Sequence, residues 1–283
     1  MYMSKKLRSF LSLSALLPLL LPSLAFAQET SSLDSVFTLA GYVAMALFLL
    51  AAILLFYAAE LFKKTAMYAV LLYFAIGTAM IVAQSTFIAL GAQFFGIEDT
   101  SLDVWWHFLF FWAFGYHFYG LILLSKLGSA EMDSNPEKRA DTARLWGFIG
   151  LCFAVFEFII PKSVENIMFV YTRSPLDSFG LHHFIAFAFA GIVFWYLFFA
   201  QKNLGQLGKL IANPVIVALV ALSLQHLWEL LNESWKIIHV PSDMGEGVEK
   251  IFLITGAVAL IWGAWKLIAF SRATASPSAA PQA

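Results

Sequence analysis

Seven long apolar runs constrain the fold of this chain more than any other feature of its sequence. They span residues 34–61, 66–94, 104–126, 143–161, 179–200, 211–235 and 248–270, and polar segments separate them. A helix that crosses the hydrocarbon core of a bilayer needs about 20 apolar residues. Because each run is close to that length or longer, the pattern predicts an all-α integral membrane protein, folded as a seven-transmembrane-helix bundle.

The composition of the chain agrees with this prediction. Of its 283 residues, 61% are hydrophobic and 12% are charged, whereas about 25% of residues are charged in soluble domains. The net charge of -1 offers no basic surface for nucleic acid, so we expect a lipid bilayer as partner and no nucleic acid. The single cysteine, Cys152, excludes an intrachain disulfide and the Cys-x-x-Cys spacing of thiolate metal sites.

The first 27 residues have the three parts of a secretory signal peptide. Lys5, Lys6 and Arg8 precede an apolar stretch at residues 10–21, and Ala-Phe-Ala at 25–27 fits a cleavage site. Cleavage would leave the mature N-terminus in the periplasm, on the outer side of a bacterial inner (cytoplasmic) membrane. An uncleaved first helix is the alternative interpretation.

The distribution of Lys and Arg around the apolar runs predicts the same orientation. With a periplasmic N-terminus, ten of these residues lie on the cytoplasmic side and four on the periplasmic side, and cytoplasmic loops normally carry the excess. We therefore predict a cytoplasmic C-terminus and a membrane domain over residues 28–272. The Ala/Ser/Pro-rich stretch 273–283 is expected to be a disordered cytoplasmic tail.

The sixth apolar run contains an unusual concentration of polar residues at positions 225–233. His226, Glu229 and Glu233 are spaced i, i+3 and i+7, so they share one face of a regular α-helix. Ionisable side chains at membrane depth are costly, tend to face the protein interior and need partners. The face therefore predicts a buried polar site.

The predicted topology brings ionisable residues of other helices to the same outer half of the membrane. Asp103 and His107 begin the third run one helical turn apart, His182 and His183 begin the fifth, and Glu157 is near the outer end of the fourth. Adjacent residues are about 100° apart around a helix, so only one of the two neighbouring histidines is expected to face a common centre. Together these positions predict a periplasm-facing pocket lined by histidines and carboxylates.

Imidazole and carboxylate groups in one pocket suit a transition metal ion such as iron, copper or zinc. The expected ligands are His107, His182 or His183, His226 and Glu229, with Glu233, Asp103 and Glu157 as outer ligands or proton-accepting groups. The sequence thus predicts metal handling or metal-dependent membrane chemistry, with a periplasmic metal or small-molecule ligand as partner. We identify no nucleophile in the pattern, so it does not separate an enzyme from a binding protein.

Three alternatives fit the same residues. A haem could be held by two histidines on facing helices, His107 with His183 or the deeper His117 with His226, and a quinone could use the aromatic surroundings. A Glu/His chain could also serve proton-coupled transport or sensing. Finally, the polar groups could form a hydrogen-bonded network that only fixes helix packing.

Overall fold

A computed structural model of the chain describes residues 32–90, 99–127, 135–159, 180–200, 204–240 and 242–275. The predicted signal peptide and residues 276–283 of the predicted tail lie outside these ranges. The described residues form seven α-helices and contain no strand, which confirms the all-α prediction for this part of the chain. Each helix overlaps one of the seven apolar runs.

The helices are α1 (Ser32–Leu61), α2 (Met67–Leu90), α3 (Asp99–Ser125), α4 (Pro136–Ile159), α5 (Leu181–Ala200), α6 (Gln206–Glu229) and α7 (Ser242–Ala275). Helix α6 continues without a break into a π-helical turn, Leu230–Ser234. Helix α7 includes the first three residues of the predicted tail.

Four helical segments are long and apolar enough to cross a membrane. They are Leu39–Leu61, Met67–Gln84, Gln206–Ser234 and Met244–Thr274, and two shorter apolar segments, Leu109–Ser125 and His183–Tyr196, lie in α3 and α5. Their large outward-facing side chains include Trp195 and Trp265, which are 68% and 60% exposed. Apolar surface of this kind suits contact with lipid, and the helices indicate a multi-pass membrane protein.

Six of the helices contact one another in a closed order, α1–α2–α3–α5–α6–α7, with the last touching the first, and α3 also contacts α6. Helix α4 packs against α2 and α3 from outside this ring. Small residues allow the helices to approach closely. A Cβ atom added to Gly263 of α7 would lie 2.6 Å from Pro214 of α6, and one added to Gly120 of α3 would lie 2.6 Å from Phe74 of α2. The core is mainly aromatic and aliphatic, with Phe48 and Phe114 among its buried members.

Several helices begin earlier than the apolar runs predict. Helix α4 starts at Pro136, in a polar segment, where the Asn135 side chain accepts a hydrogen bond from the Lys138 N–H at 3.2 Å. Asn before a helix and Pro at its first position are favourable start signals. Helices α3 and α7 also begin before their runs, at Asp99 and Ser242. Hydropathy detects only the apolar part of a helix, so it misses these polar first turns.

The C-terminal end of α6 meets the beginnings of α5 and α7 and the first half of α3. His183 at the start of α5 approaches Glu229, and Trp228 donates a hydrogen bond from Nε1 to the Gly245 carbonyl at the start of α7, at 3.1 Å. In the first half of α3, the Phe110 ring lies edge-on to His226, with 4.4 Å between ring centroids. The end of α6 is therefore enclosed by α3, α5 and α7.

Candidate metal centre

Three side chains at this end of the bundle could hold a metal ion. They are His183 from α5 and His226 and Glu229 from α6, and their potential ligand atoms all lie within 4.8 Å of one another. The three residues are 7%, 0% and 6% exposed, respectively. The group is thus buried and draws its ligands from two helices.

The carboxylate of Glu229 lies between the two imidazoles. Its Oε2 atom is 2.8 Å from His226 Nδ1 and 3.0 Å from His183 Nδ1, and the two ring centroids are 5.8 Å apart. Ligand atoms around one tetrahedral ion are roughly 3.3 Å apart when metal–ligand distances are about 2.0–2.1 Å. The two N···O distances are therefore close to this spacing, and the two imidazole donors lie within 4.8 Å of each other.

Gln225 fixes the orientation of the Glu229 carboxylate. The Gln225 side chain is 1% exposed and donates a hydrogen bond from Nε2 to Glu229 Oε1 at 3.0 Å. This bond engages one carboxylate oxygen and leaves the other facing the imidazoles. Groups that hold a ligand in this way commonly set its position and basicity in metal sites.

The local sequence of α6 explains why these groups meet. A regular α-helix brings residues i+3 and i+4 to one side, so His226 and Gln225 both reach Glu229. Directly after Glu229 the helix widens into the π turn, in which the Trp235 N–H donates to the Leu230 carbonyl at 2.8 Å. π turns are frequent at functional sites.

Gly180 allows α5 to begin directly on this π turn. Its backbone has a positive φ of 69°, a conformation that glycine adopts without the steric cost of a side chain. A Cβ atom added there would lie 2.8 Å from Leu230 Cδ1 and would overlap the side chain of Ser234. Because His183 follows only three residues later, the close approach at Gly180 sets the distance between His183 and α6. Sequence reasoning missed Gly180, although a glycine just before a helix that begins Leu-His-His is a visible signal.

A further buried carboxylate lies nearby on α7. Glu249 is 8% exposed, and its Oε2 atom is 3.9 Å from Lys250 Nζ. It interacts electrostatically with Glu229 and with Glu233. In the sequence, Glu249 begins the seventh apolar run, in the same outer half of the membrane, but its proximity to Glu229 depends on how α7 packs on α6.

Two other predicted site residues lie outside the three-residue group. Glu233 falls within the π turn and is exposed, and its role as an outer ligand stays a prediction. His117 is buried on α3, where Nε2 is 3.2 Å from the Thr78 hydroxyl and Nδ1 is 2.7 Å from the Ala113 carbonyl. Both of its ring nitrogens therefore contact protein atoms.

The remaining predicted residues are Asp103, His107, Glu157 and His182. Their backbone belongs to α3, α4 and α5, but their side chains lie outside the part of the chain that the structure describes. Their roles stay predictions.

Comparison of the chain with known protein families, with curated proteins and with solved structures gave no significant match.

Proposed function

We propose that this protein binds a transition metal ion at His183, His226 and Glu229, in a site that faces the periplasm from the inner membrane of a bacterium. One observation carries the proposal, namely the burial of two imidazoles and a carboxylate whose donor atoms lie within 4.8 Å of one another. The function is assigned as metal handling or metal-dependent membrane chemistry.

The chemistry of the donor set supports a metal rather than packing alone. Two histidines and one carboxylate form a common ligand set for zinc and for non-haem iron, and three protein ligands leave a position for water or a substrate. Gln225 holds the carboxylate oxygen that faces away from the imidazoles. Both imidazoles approach the other oxygen, so the three donors lie around one point.

The surrounding charge also favours a cation. Glu229 and Glu249 place two buried carboxylates at one end of the bundle, with the ammonium of Lys250 beside the second. The Lys250 ammonium can balance one of these two negative charges, and burying a charge without an opposite partner is costly. A divalent ion is often the largest local charge in a site, and here it would offset the two carboxylates.

The proposed topology has seven spans, a periplasmic N-terminus and a cytoplasmic C-terminus. It follows from the signal peptide at residues 1–27 and from the excess of Lys and Arg on the opposite side. In this orientation the end of α6 and the beginnings of α3, α5 and α7 are periplasmic. The proposed metal site would then exchange with the periplasm.

Elemental analysis of the purified full chain tests the proposal. The protein should carry no polyhistidine tag, be loaded separately with zinc, iron and copper, and be passed through a desalting column before measurement. We expect about one ion per chain for at least one of these metals in the wild type. His183→Ala and His226→Ala should each lose it.

His239→Ala is the matched control, because His239 is an exposed histidine outside the group, and it should retain the metal. Helicity and elution volume would show that each variant is folded. Failure of the wild type to retain any of the three metals would overturn the proposal and favour a purely structural network. Stoichiometric iron with a Soret absorption band would instead favour haem.

The topology has its own test with a membrane-impermeant maleimide on intact cells. In a Cys152→Ser background, His239→Cys should be labelled from outside, and Lys64→Cys only after the membrane is permeabilised. Both positions are exposed. The opposite labelling pattern would invert the proposed orientation without affecting the donor geometry.

A further inference from the structure

The position of α4 outside the helix ring leaves a groove over α2, between α1 and α4. The groove encloses about 530 Å³ and is lined by residues of these three helices. Its lining is polar at one end, where α1 ends and where α2 and α4 begin, and apolar along the rest of its length. It is separate from the candidate metal centre, none of whose residues line it.

Two side chains of opposite charge line the polar end and are joined through a tyrosine, and each is also paired with a charged residue beside the groove. Arg144 of α4 donates to the Tyr68 hydroxyl on α2, and this hydroxyl donates to Glu60 Oε1 on α1 at 3.4 Å. Arg144 also pairs with Asp141 at 2.6 Å, and Glu60 Oε2 lies 3.4 Å from Lys63 Nζ. A guanidinium has five N–H donors, of which these contacts use two. Arg144 and Glu60 are half exposed, so both can bind a further group.

The apolar part of the groove has the dimensions of an extended acyl chain. It follows α2 from Leu72 past Ile76 to Ala83, a distance of about 16 Å at 1.5 Å per residue. Half of a bilayer's hydrocarbon core is about 15 Å thick. Ala79 and Ala83 lie one turn apart in the lining, and their small side chains leave the groove open along its length.

We infer that this groove binds one phospholipid molecule whose headgroup carries both a phosphate and a primary ammonium, as in phosphatidylethanolamine. Arginine is well suited to phosphate, which accepts two parallel N–H bonds from the guanidinium. The Glu60 carboxylate would accept hydrogen bonds from the ammonium. The acyl chain would lie along α2, in contact with Ile76 and Ala79.

Charge complementarity decides between headgroups. An anionic headgroup would bind Arg144 but would add a negative charge to a cluster in which Asp141 and Glu60 already balance Arg144 and Lys63. A choline headgroup has no N–H to donate to the Glu60 carboxylate. A headgroup with both a phosphate and a primary ammonium matches the opposite charges at this end of the groove.

Native mass spectrometry of the detergent-purified full chain, incubated with one lipid at a time, tests this inference. Retention of phosphatidylethanolamine should exceed that of phosphatidylcholine and phosphatidylglycerol by about tenfold, the effect of one hydrogen bond to a charged group. Glu60→Gln should abolish the preference over phosphatidylcholine. Arg144→Gln should weaken retention of all three lipids.

Lys138→Gln is the control, because it removes a cation from the exposed first turn of α4, outside the groove. Ala79→Phe should block lipid retention without altering the polar end, which separates loss of the groove from loss of the Arg144–Tyr68 contact. Thermal unfolding would confirm that each variant is folded. Equal retention of the three lipids, a preference for phosphatidylglycerol, or full retention by Ala79→Phe would overturn the inference.

Discussion

Replacement of Gly180 by alanine is the most direct test of how the candidate metal centre is positioned. Gly180 has a positive φ of 69° and touches the π turn of α6. Its substitution changes no proposed ligand. It alters only the approach of α5, which carries His183, to α6, which carries His226 and Glu229.

The expected cost comes from two effects that can be estimated separately. A non-glycine residue in the left-handed region costs about 1–2 kcal/mol. The added Cβ atom would lie 2.8 Å from Leu230 Cδ1, about 1 Å closer than an ordinary carbon contact, and overpacking of this kind costs about 1–3 kcal/mol. Together the substitution should destabilise the protein by about 2–5 kcal/mol.

Relief of the contact would also weaken metal binding. A shift of about 1 Å at the start of α5 would move His183 by a similar distance, whereas metal–ligand distances tolerate deviations of only about 0.2 Å. We expect the affinity to fall by at least the roughly 10–100-fold that is typical when the support of a ligand is lost. Zinc affinity, measured by competition with a chelator, and thermal unfolding in detergent would report the two effects.

Gly191→Ala provides the matched control on the same helix. No heavy atom outside its local backbone lies within 4 Å of a Cβ atom added there, so alanine should stabilise the helix by about 0.5–1 kcal/mol and leave zinc affinity unchanged. If Gly180→Ala lowered stability but bound zinc as tightly as the wild type, His183 would not be a ligand. If Gly180→Ala changed neither stability nor zinc affinity, Gly180 would not pack against the π turn as described.

Three further substitutions separate ligands from their surroundings. Gln225→Ala should lower zinc affinity by about 10–100-fold without abolishing binding. Gln206 is an exposed glutamine at the start of α6, and Gln206→Ala should have no effect. Equal affinities of the two variants would mean that Gln225 does not orient Glu229. Glu233→Gln should leave zinc affinity within about twofold of the wild type, because an exposed residue outside the ligand group contributes little, and a loss of binding would place it among the ligands. His117→Ala should retain the metal but lower the free energy of unfolding by about 1–3 kcal/mol, since it removes buried hydrogen bonds to Thr78 and Ala113. Metal loss in a folded His117→Ala variant would make His117 a ligand.

The sequence predicts the helices well because their signal is local. Apolar runs of membrane-spanning length indicate where helices lie, and all seven runs overlap helices in the described part of the chain. Helix starts are predicted less well, as at Pro136, because polar first turns resemble loops in a hydropathy profile. The number of spans and the orientation depend on the membrane itself and stay predictions.

The site could be predicted only as far as helical spacing reaches. The approach of His226 to Glu229 follows from the i, i+3 spacing of a single helix. The position of His183 depends on the close contact between α5 and α6 at Gly180, and spacing within one helix cannot reveal a contact between two. Glu233 lies in the π turn after Glu229, whereas the i+7 spacing assumed a regular α-helix, and its role as an outer ligand stays a prediction.

The closed helix ring has a consequence for the order of events during biosynthesis. Its last contact joins α1 to α7, where the Lys250 side chain lies 3.7 Å from the position of a Cβ atom added to Gly41. Because the chain is synthesised from its N-terminus, the ring can close only after α7 has been made. The proposed ligands, in contrast, belong to consecutive helices, α5 and α6. All three proposed ligands are therefore synthesised before α7, so the proposed site does not depend on the last helix for a ligand.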